Sequence, residues 1–218
     1  MTAALANRLL AKQALQSVEE LLQLAMEWRL PVDAAVLNKL AKAYRQPENC
    51  ARGRAMLNAL LKKDPTTAPE VLRCLYDLAR AERQDAEAHS LLRQLIQADP
   101  SPATITFAHR ERSDLAAEAG RPVRIALLSS YTIDPLVPYL DAECRGAGLV
   151  PEFYVAPFNQ YMQEILSLSS GLYRFKPEII FVALAIDDLF PAVRGYPTTE
   201  ELDQARAEVC ERIHAVVD

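Results

Sequence analysis

The chain has 218 residues, half of them hydrophobic, so it is long enough for one large or two small globular domains. Its formal net charge is −5, and the sequence contains no stripe of basic residues. Nucleic acid and anionic membranes are therefore poor partners. No signal peptide is evident, and the longest apolar run, residues 179–186, is far too short to cross a bilayer. We therefore expect a cytoplasmic protein with neither nucleic acid nor membrane as a partner.

The cysteines indicate no metal site. Cys50, Cys74, Cys144 and Cys210 lie far apart in the sequence and form no C-x-x-C pair. Scattered thiols of this kind are typical of buried side chains in a reducing compartment.

Glycine content and charge both divide the chain near residue 120. Only Gly53 falls before that position, whereas five glycines follow from Gly120 onward. Residues 1–120 hold 16 Lys and Arg against 15 Asp and Glu, and residues 121–218 hold 8 against 14. We predict a helical-repeat domain over residues 1–100, a linker over 101–120 that includes a short helix at 113–120, and an incomplete α/β domain over 121–218.

Three prolines mark a repeat in the first domain. Pro31, Pro65 and Pro100 are spaced by 34 and 35 residues, the period of tetratricopeptide repeats, in which two helices are followed by a turn. The early Trp and Gly of that consensus are missing, so another helical-hairpin array is the alternative. Apolar residues at the spacing of amphipathic helices predict the buried faces: Val36, Leu37, Leu40, Ala41, Tyr44, Met56, Leu57, Leu60, Leu61, Val71, Leu72, Leu75, Leu78, Ala88, Leu91, Leu92 and Leu95.

A helical-hairpin array of this kind usually presents a concave surface to a protein partner. The alternative is that the array only packs against the second domain. Trp28 is expected in the core rather than on a binding surface.

Strands and helices alternate in the second domain. Apolar runs predict strands over residues 123–129, 152–157 and 178–186, and amphipathic patterns predict helices over 134–146, 160–168 and 198–217. Asp134 is expected to cap the first helix, with Pro135 at its first position. This βαβαβα order with right-handed crossovers gives a parallel sheet of order 2-1-3, the first half of a doubly wound, flavodoxin-like fold. The predicted class is α + α/β.

The third strand is apolar and would have an unpaired outer edge, which is an aggregation hazard. Either the chain belongs to something longer, or another chain or helix covers that edge. The first explanation is favoured.

Polar residues follow each predicted strand, and in a parallel sheet these carboxyl ends lie on one edge, where ligands bind. Hydroxyls and amides suit a sugar, a glycerate or a pantetheine arm, which they would bind by hydrogen bonds and without charged side chains. The alternative is that Ser130, Thr132 and Asn159 only cap helices. The candidate ligand-binding residues are Ser129, Ser130, Thr132, Asn159, Gln160 and Asp187.

Three segments together resemble the region that precedes the phosphatase-like domain of FkbH-family proteins. They are residues 124–136 (RIALLSSYTIDPL), 157–166 (PFNQYMQEIL) and 170–178 (SGLYRFKPE). The resemblance implies an SGNH-hydrolase-like fold for this region, followed in the family by a haloacid-dehalogenase-type phosphatase domain. It also implies a role in loading a three-carbon glyceryl unit onto an acyl carrier protein, in polyketide or surface-glycan pathways.

The family's D-x-D-x-T/V nucleophile motif is absent from this sequence. The resemblance therefore makes this chain the non-phosphatase part, with no cofactor of its own and with Mg expected in the phosphatase domain. Its implied partners are an acyl carrier protein or its own carboxyl-terminal phosphatase domain.

The SGNH pattern offers one catalytic candidate, Ser130. Alignment on the G-D-S-x signature places Tyr131 where the nucleophile belongs, and a shift of one residue would bring Ser130 there. No Asn follows the third strand, and no Asp-x-x-His ends the chain. A serine without its base is inert near neutral pH, so ester hydrolysis is a third possibility after carrier recognition and a complete, dimerising adaptor.

Overall fold

The computed structural model describes residues 15–28, 32–63, 68–185 and 198–217. The chain divides into two compact units, residues 1–118 and residues 119–218. In the described residues, no helix combines the length and the apolar character that a membrane span requires.

The helical unit contains, within the described residues, six helices. They are α1 (Leu15–Glu27), α2 (Ala34–Tyr44), α3 (Pro47–Lys63), α4 (Ala68–Ala81), α5 (Asp85–Ala98) and α6 (Pro102–Arg112). Helix α4 packs against α2, α3 and α5 and contributes buried residues along most of its length. Only two residues separate α2 from α3, so the chain must reverse direction there and the two helices form a hairpin.

The predicted buried faces are confirmed. All of the residues named above lie in one core cluster or pack against it, with Met56 and Leu61 partly buried. The prediction that Trp28 lies in the core is wrong. Trp28 follows the last residue of α1 and is 74% exposed. Pro31 and Pro65 lie outside the described residues.

Helix α6 lies within the segment that was predicted as a linker, residues 101–120. The Ser101 hydroxyl accepts a hydrogen bond from the Thr104 amide at 3.3 Å, and Pro102 occupies the start of the helix. Asp99 accepts a bond from the Ser101 hydroxyl at 3.0 Å. A Ser-Pro pair that resembles a break is therefore a helix start. The short helix expected at 113–120 is not present; these residues form turns and extended chain.

Within its described residues, the α/β unit contains a three-stranded parallel sheet in the order β2-β1-β3, as predicted. Its elements are β1 (Arg121–Ser129), a 3-10 turn (Asp134–Leu136), α7 (Val137–Gly146), β2 (Leu149–Val155), α8 (Tyr161–Leu166), α9 (Gly171–Phe175), β3 (Ile179–Ala183) and α10 (Thr199–Val217). The two units together have the α + α/β composition that the sequence predicts.

Both faces of the central strand β1 are covered. Ile125 and Leu127 pack with residues of α7, and Ala126 and Leu128 pack with residues of α8 and α9. Strand β3 differs, because its first four residues are between 40% and 51% exposed although both of its faces are apolar. These four residues are Ile179, Ile180, Phe181 and Val182.

Candidate functional site

The two serines at the carboxyl end of β1 are buried and hold the backbone. The Ser129 hydroxyl accepts a hydrogen bond from the Tyr131 amide at 3.0 Å. The Ser130 hydroxyl accepts one from the Ala185 amide at 2.9 Å, and the Ser130 amide donates to the Ala183 carbonyl at 3.2 Å. Ser130 therefore ties the end of β1 to the chain that leaves β3. This contact explains why a small hydroxyl residue occupies the position.

The geometry around Ser130 gives it a structural role. Its side chain belongs to a residue that is only 6% exposed, and its oxygen is engaged by a backbone N–H. His89 and His109 belong to the helical unit, and His214 lies in α10, with its side chain outside the described residues. The catalytic assignment of Ser130 stays a prediction. No group of three or more His, Cys, Asp or Glu in the described part of the chain is arranged to hold a metal ion.

Three polar side chains at the same edge are exposed instead. Thr132 follows β1, and Asn159 and Gln160 follow β2; none of the three side chains has a hydrogen-bond partner among the described residues. Asn159 adopts a left-handed backbone conformation with φ of 55°, which asparagine tolerates better than most residues. These groups are available to a ligand.

The structure does not show the alternative role of Ser130, Thr132 and Asn159 as helix caps. The 3-10 turn after β1 is preceded by Ile133 and has no side-chain cap, so Asp134 lies inside the turn rather than ahead of a helix. Helix α8 begins after Gln160, whose side chain makes no capping bond. Helix α7 itself begins at Val137, later than the sequence predicted.

The sheet brings the two loops to one edge. Leu127 of β1 is the register partner of Val155 of β2, and the Ala156 amide donates to the Leu127 carbonyl at 2.9 Å. The loops that carry Thr132 and Asn159 therefore leave neighbouring strands. Asp187, predicted to complete the site, lies outside the described residues.

Two exposed aromatic residues lie next to these polar groups in the sequence, and neither was among the predicted ligand-binding residues. Tyr131 is 44% exposed and Phe158 is 67% exposed. The sequence did contain a signal for these two residues, because each aromatic residue directly precedes a candidate site residue, Thr132 or Asn159. The loop residues 129–133 and 156–160 contain no charged side chain. This composition suits an uncharged polar ligand with an apolar face.

A buried carboxylate behind the site organises the next segment. Glu164 of α8 accepts a hydrogen bond from the Leu172 amide at 2.8 Å, at the start of α9, and the Ser170 hydroxyl donates to the Glu164 carbonyl at 2.7 Å. Burial, and then a hydrogen bond to Glu164, raises the pKa of the Tyr154 hydroxyl. A side chain at Gly171 would collide with that hydroxyl. The predicted helix 160–168 is thus shorter than expected and is followed by a second short helix.

A polar cleft of about 560 Å³ lies on the helical unit, at the carboxyl ends of α2, α4 and α6. Arg45 pairs with Asp77 at 2.7 Å, and the Tyr76 hydroxyl donates to Glu111 at 3.0 Å. Burial, and then the bond to Glu111, raises the Tyr76 pKa well above its usual range. The cleft carries both signs of charge and lies on alternate helices of the unit.

Comparisons with known proteins add little to this description of the chain. No protein-family model and no curated protein matches the chain. One solved structure aligns with 43% of this chain and 26% of its own chain, at 21% identity and a TM-score of 0.33. It is the crystal structure of the N-terminal part of a Bacteroides fragilis protein, containing a phosphatase domain complexed with Mg. The chain thus spans about a quarter of that structure, and the likeness is distant.

Proposed function

We propose that this chain is the non-phosphatase part of an FkbH-like biosynthetic protein and that its α/β unit recognises a substrate or an acyl carrier protein. Three sequence segments support the proposal by their resemblance to that family. Two of the three, residues 157–166 and 170–178, are the segments that Glu164 joins. These hydrogen bonds join the segment that carries Asn159 and Gln160 to the start of α9.

One observation carries the binding role. Thr132, Asn159 and Gln160 are exposed on loops that leave adjacent strands, while the neighbouring Ser129 and Ser130 are buried and engaged. Such a surface donates and accepts hydrogen bonds without charge. A pantetheine arm offers amides and hydroxyls to match it, and a glyceryl unit offers hydroxyls. The chain would hold the acceptor or the three-carbon unit, and the family's Mg-dependent chemistry would belong to the phosphatase domain.

Calorimetric titration of a holo acyl carrier protein, and separately of glycerate, tests the proposal. The variant Thr132→Ala with Asn159→Gly removes two side chains and keeps the left-handed backbone at position 159 accessible. Each lost hydrogen bond should reduce affinity by about 0.5–1.5 kcal/mol. The control Gln163→Ala changes an exposed amide on α8 and should bind normally.

The two probes also separate the ligands. Binding of the carrier protein alone would assign the edge to carrier recognition, and binding of glycerate alone would assign it to the three-carbon unit. Unchanged affinity in the double variant, or no binding of either probe to the wild-type chain, would reject the proposal.

A second candidate function is an adaptor whose α/β unit dimerises through β3, with a protein partner on the helical unit. The exposed residues of β3 favour it, because a strand with two apolar faces and an outer edge that no other described strand pairs is complementary to itself. A two-fold axis at Phe181 would pair Ile180 with Val182 of the partner strand. Sedimentation of the wild-type chain should then show a dimer that Phe181→Lys disrupts. A folded wild-type monomer would remove this candidate.

A further inference from the structure

The segment that ends the helical unit is held to it by polar contacts. We call residues 114–118 the strap; they form neither helix nor strand. Arg80 of α4 donates to the Asp114 carbonyl at 3.1 Å, and the Ala116 amide donates to Asp85 of α5 at 3.1 Å. The strap ends at Glu118, the last residue of the helical unit.

A single face of α5 provides most of these contacts. Asp85, His89 and Arg93 are spaced by four residues, so they lie above one another on the helix. His89 Nε2 lies 2.9 Å from the Ala116 carbonyl oxygen, and Arg93 pairs with Glu118. Helix α5 thus buries Leu91, Leu92 and Leu95 on its apolar side and contacts the strap with a polar stripe.

The central contact depends on a proton. His89 is 4% exposed, and its Nδ1 lies 3.5 Å from a carboxylate oxygen of Glu118. A carbonyl oxygen only accepts, so Nε2 must carry a hydrogen. In the neutral ring Nδ1 then presents a lone pair to the Glu118 carboxylate, and two acceptors face each other. In the imidazolium both nitrogens donate, and both strap contacts are satisfied.

We propose that the strap is a proton-sensitive latch, closed when His89 is an imidazolium and loosened when it is neutral. Glu118 and Asp85 favour the charged ring. Arg93 and Arg80, which contact the same strap, and the buried Arg112 at the end of α6 are positively charged and oppose it. Arg93 and Arg80 are each paired with an acid, at Glu118 and at Asp85, which weakens their opposition. Glu118, whose carboxylate oxygen lies 3.5 Å from Nδ1, decides the balance.

Hydrogen exchange of the whole chain tests the latch, with the Ala116 amide as reporter because it donates to Asp85. Its protection factor should fall by about tenfold as the pH is raised from about 5 to about 9, a window that extends above the ordinary imidazole midpoint because the neighbouring carboxylate favours the charged ring. In His89→Gln the amide donor remains but cannot titrate, so protection should be independent of pH. The control His109→Gln, on α6, should respond as wild type does.

A constant protection factor in the wild type, a rise with pH, or loss of the response in His109→Gln would overturn the proposal. Should His89→Gln fail to fold, the wild-type chain still decides. Its His89 ring carbons and its Ala116 amide should shift with one common midpoint in an NMR titration, and separate midpoints would reject the latch.

Discussion

At the residue scale, the lone glycine of the helical half occupies a position where no side chain fits. Gly53 lies on α3 against the Tyr44 ring, and a Cβ there would lie 2.7 Å from the Tyr44 Cβ. Tyr44 is fully buried and donates a hydrogen bond to Glu19 at 2.9 Å, so it has no room to move. The close approach of α2 and α3 therefore depends on the missing side chain.

Gly53→Ala should destabilise the chain. Alanine gains about 1 kcal/mol of helix propensity over glycine, but overpacking of a closed core costs about 1–3 kcal/mol, and a rigid ring at this distance places the cost at the upper end. Gly146→Ala, at the end of α7 with nothing within 4 Å, is the matched control and should be neutral or stabilising. Urea unfolding measures both, and equal effects of the two substitutions would contradict the packing argument.

At the element scale, the strands and the apolar helices were predictable, whereas two helices were not. Sheet order and the buried faces follow from local periodicity, which is a property of adjacent residues. Helix α6 begins at a Ser-Pro pair and α9 at a Ser-Gly pair, and both pairs are equally typical of turns. Whether such a pair starts a helix or forms a turn depends on the hydrogen-bond partners that it meets in the folded chain. Sequence spacing does not reveal those partners.

The candidate site shows the same division. Its position at the carboxyl edge was predictable from the strand ends. The different roles of its residues were not, because Ser130 is engaged by Ala185, which lies 55 positions away. The exposure of Thr132 and Asn159 likewise depends on how two loops leave neighbouring strands.

Helix α9 should depend on Glu164. Five residues are too few for a helix to persist on propensity alone, so the carboxylate that accepts the Leu172 amide must hold its start. Glu164→Ala should cost about 1–3 kcal/mol and increase amide exchange over residues 171–175. The neighbouring exposed residue provides a control, Gln163→Ala, with no expected change. Unaltered exchange in Glu164→Ala would show that α9 is held in another way.

At the scale of the whole molecule, the buried thiols predict loss of stability in alkali. Burial is the main cause that raises the pKa of Cys74 to about 12 and that of Cys50 to about 11, against about 8.5 for a free thiol. Above about pH 8.5 the unfolded chain loses protons that the native chain keeps, so the free energy of unfolding falls as pH rises towards these values. Below pH 8.5 both states are protonated and the effect vanishes.

Cys74→Ala should flatten this dependence. Each retained proton contributes a slope of up to about 1.4 kcal/mol per pH unit, so unfolding curves between pH 9 and pH 11 should differ by that slope from wild type. The alanine variant will be less stable at pH 7 because it leaves a cavity, and the comparison therefore concerns the slope rather than the absolute value. An unchanged slope would show that Cys74 ionises equally in both states.

The most direct test of the central claim is amide chemical-shift mapping on the isotope-labelled chain during titration with a holo acyl carrier protein. If the carboxyl edge of the sheet is the recognition surface, the perturbed amides should cluster in residues 131–133 and 158–161. In the Thr132→Ala, Asn159→Gly variant, the chemical shifts of these amides should stay at their ligand-free values during the titration. Perturbations confined to the helical unit or to β3, with those two loops unaffected, would contradict the claim.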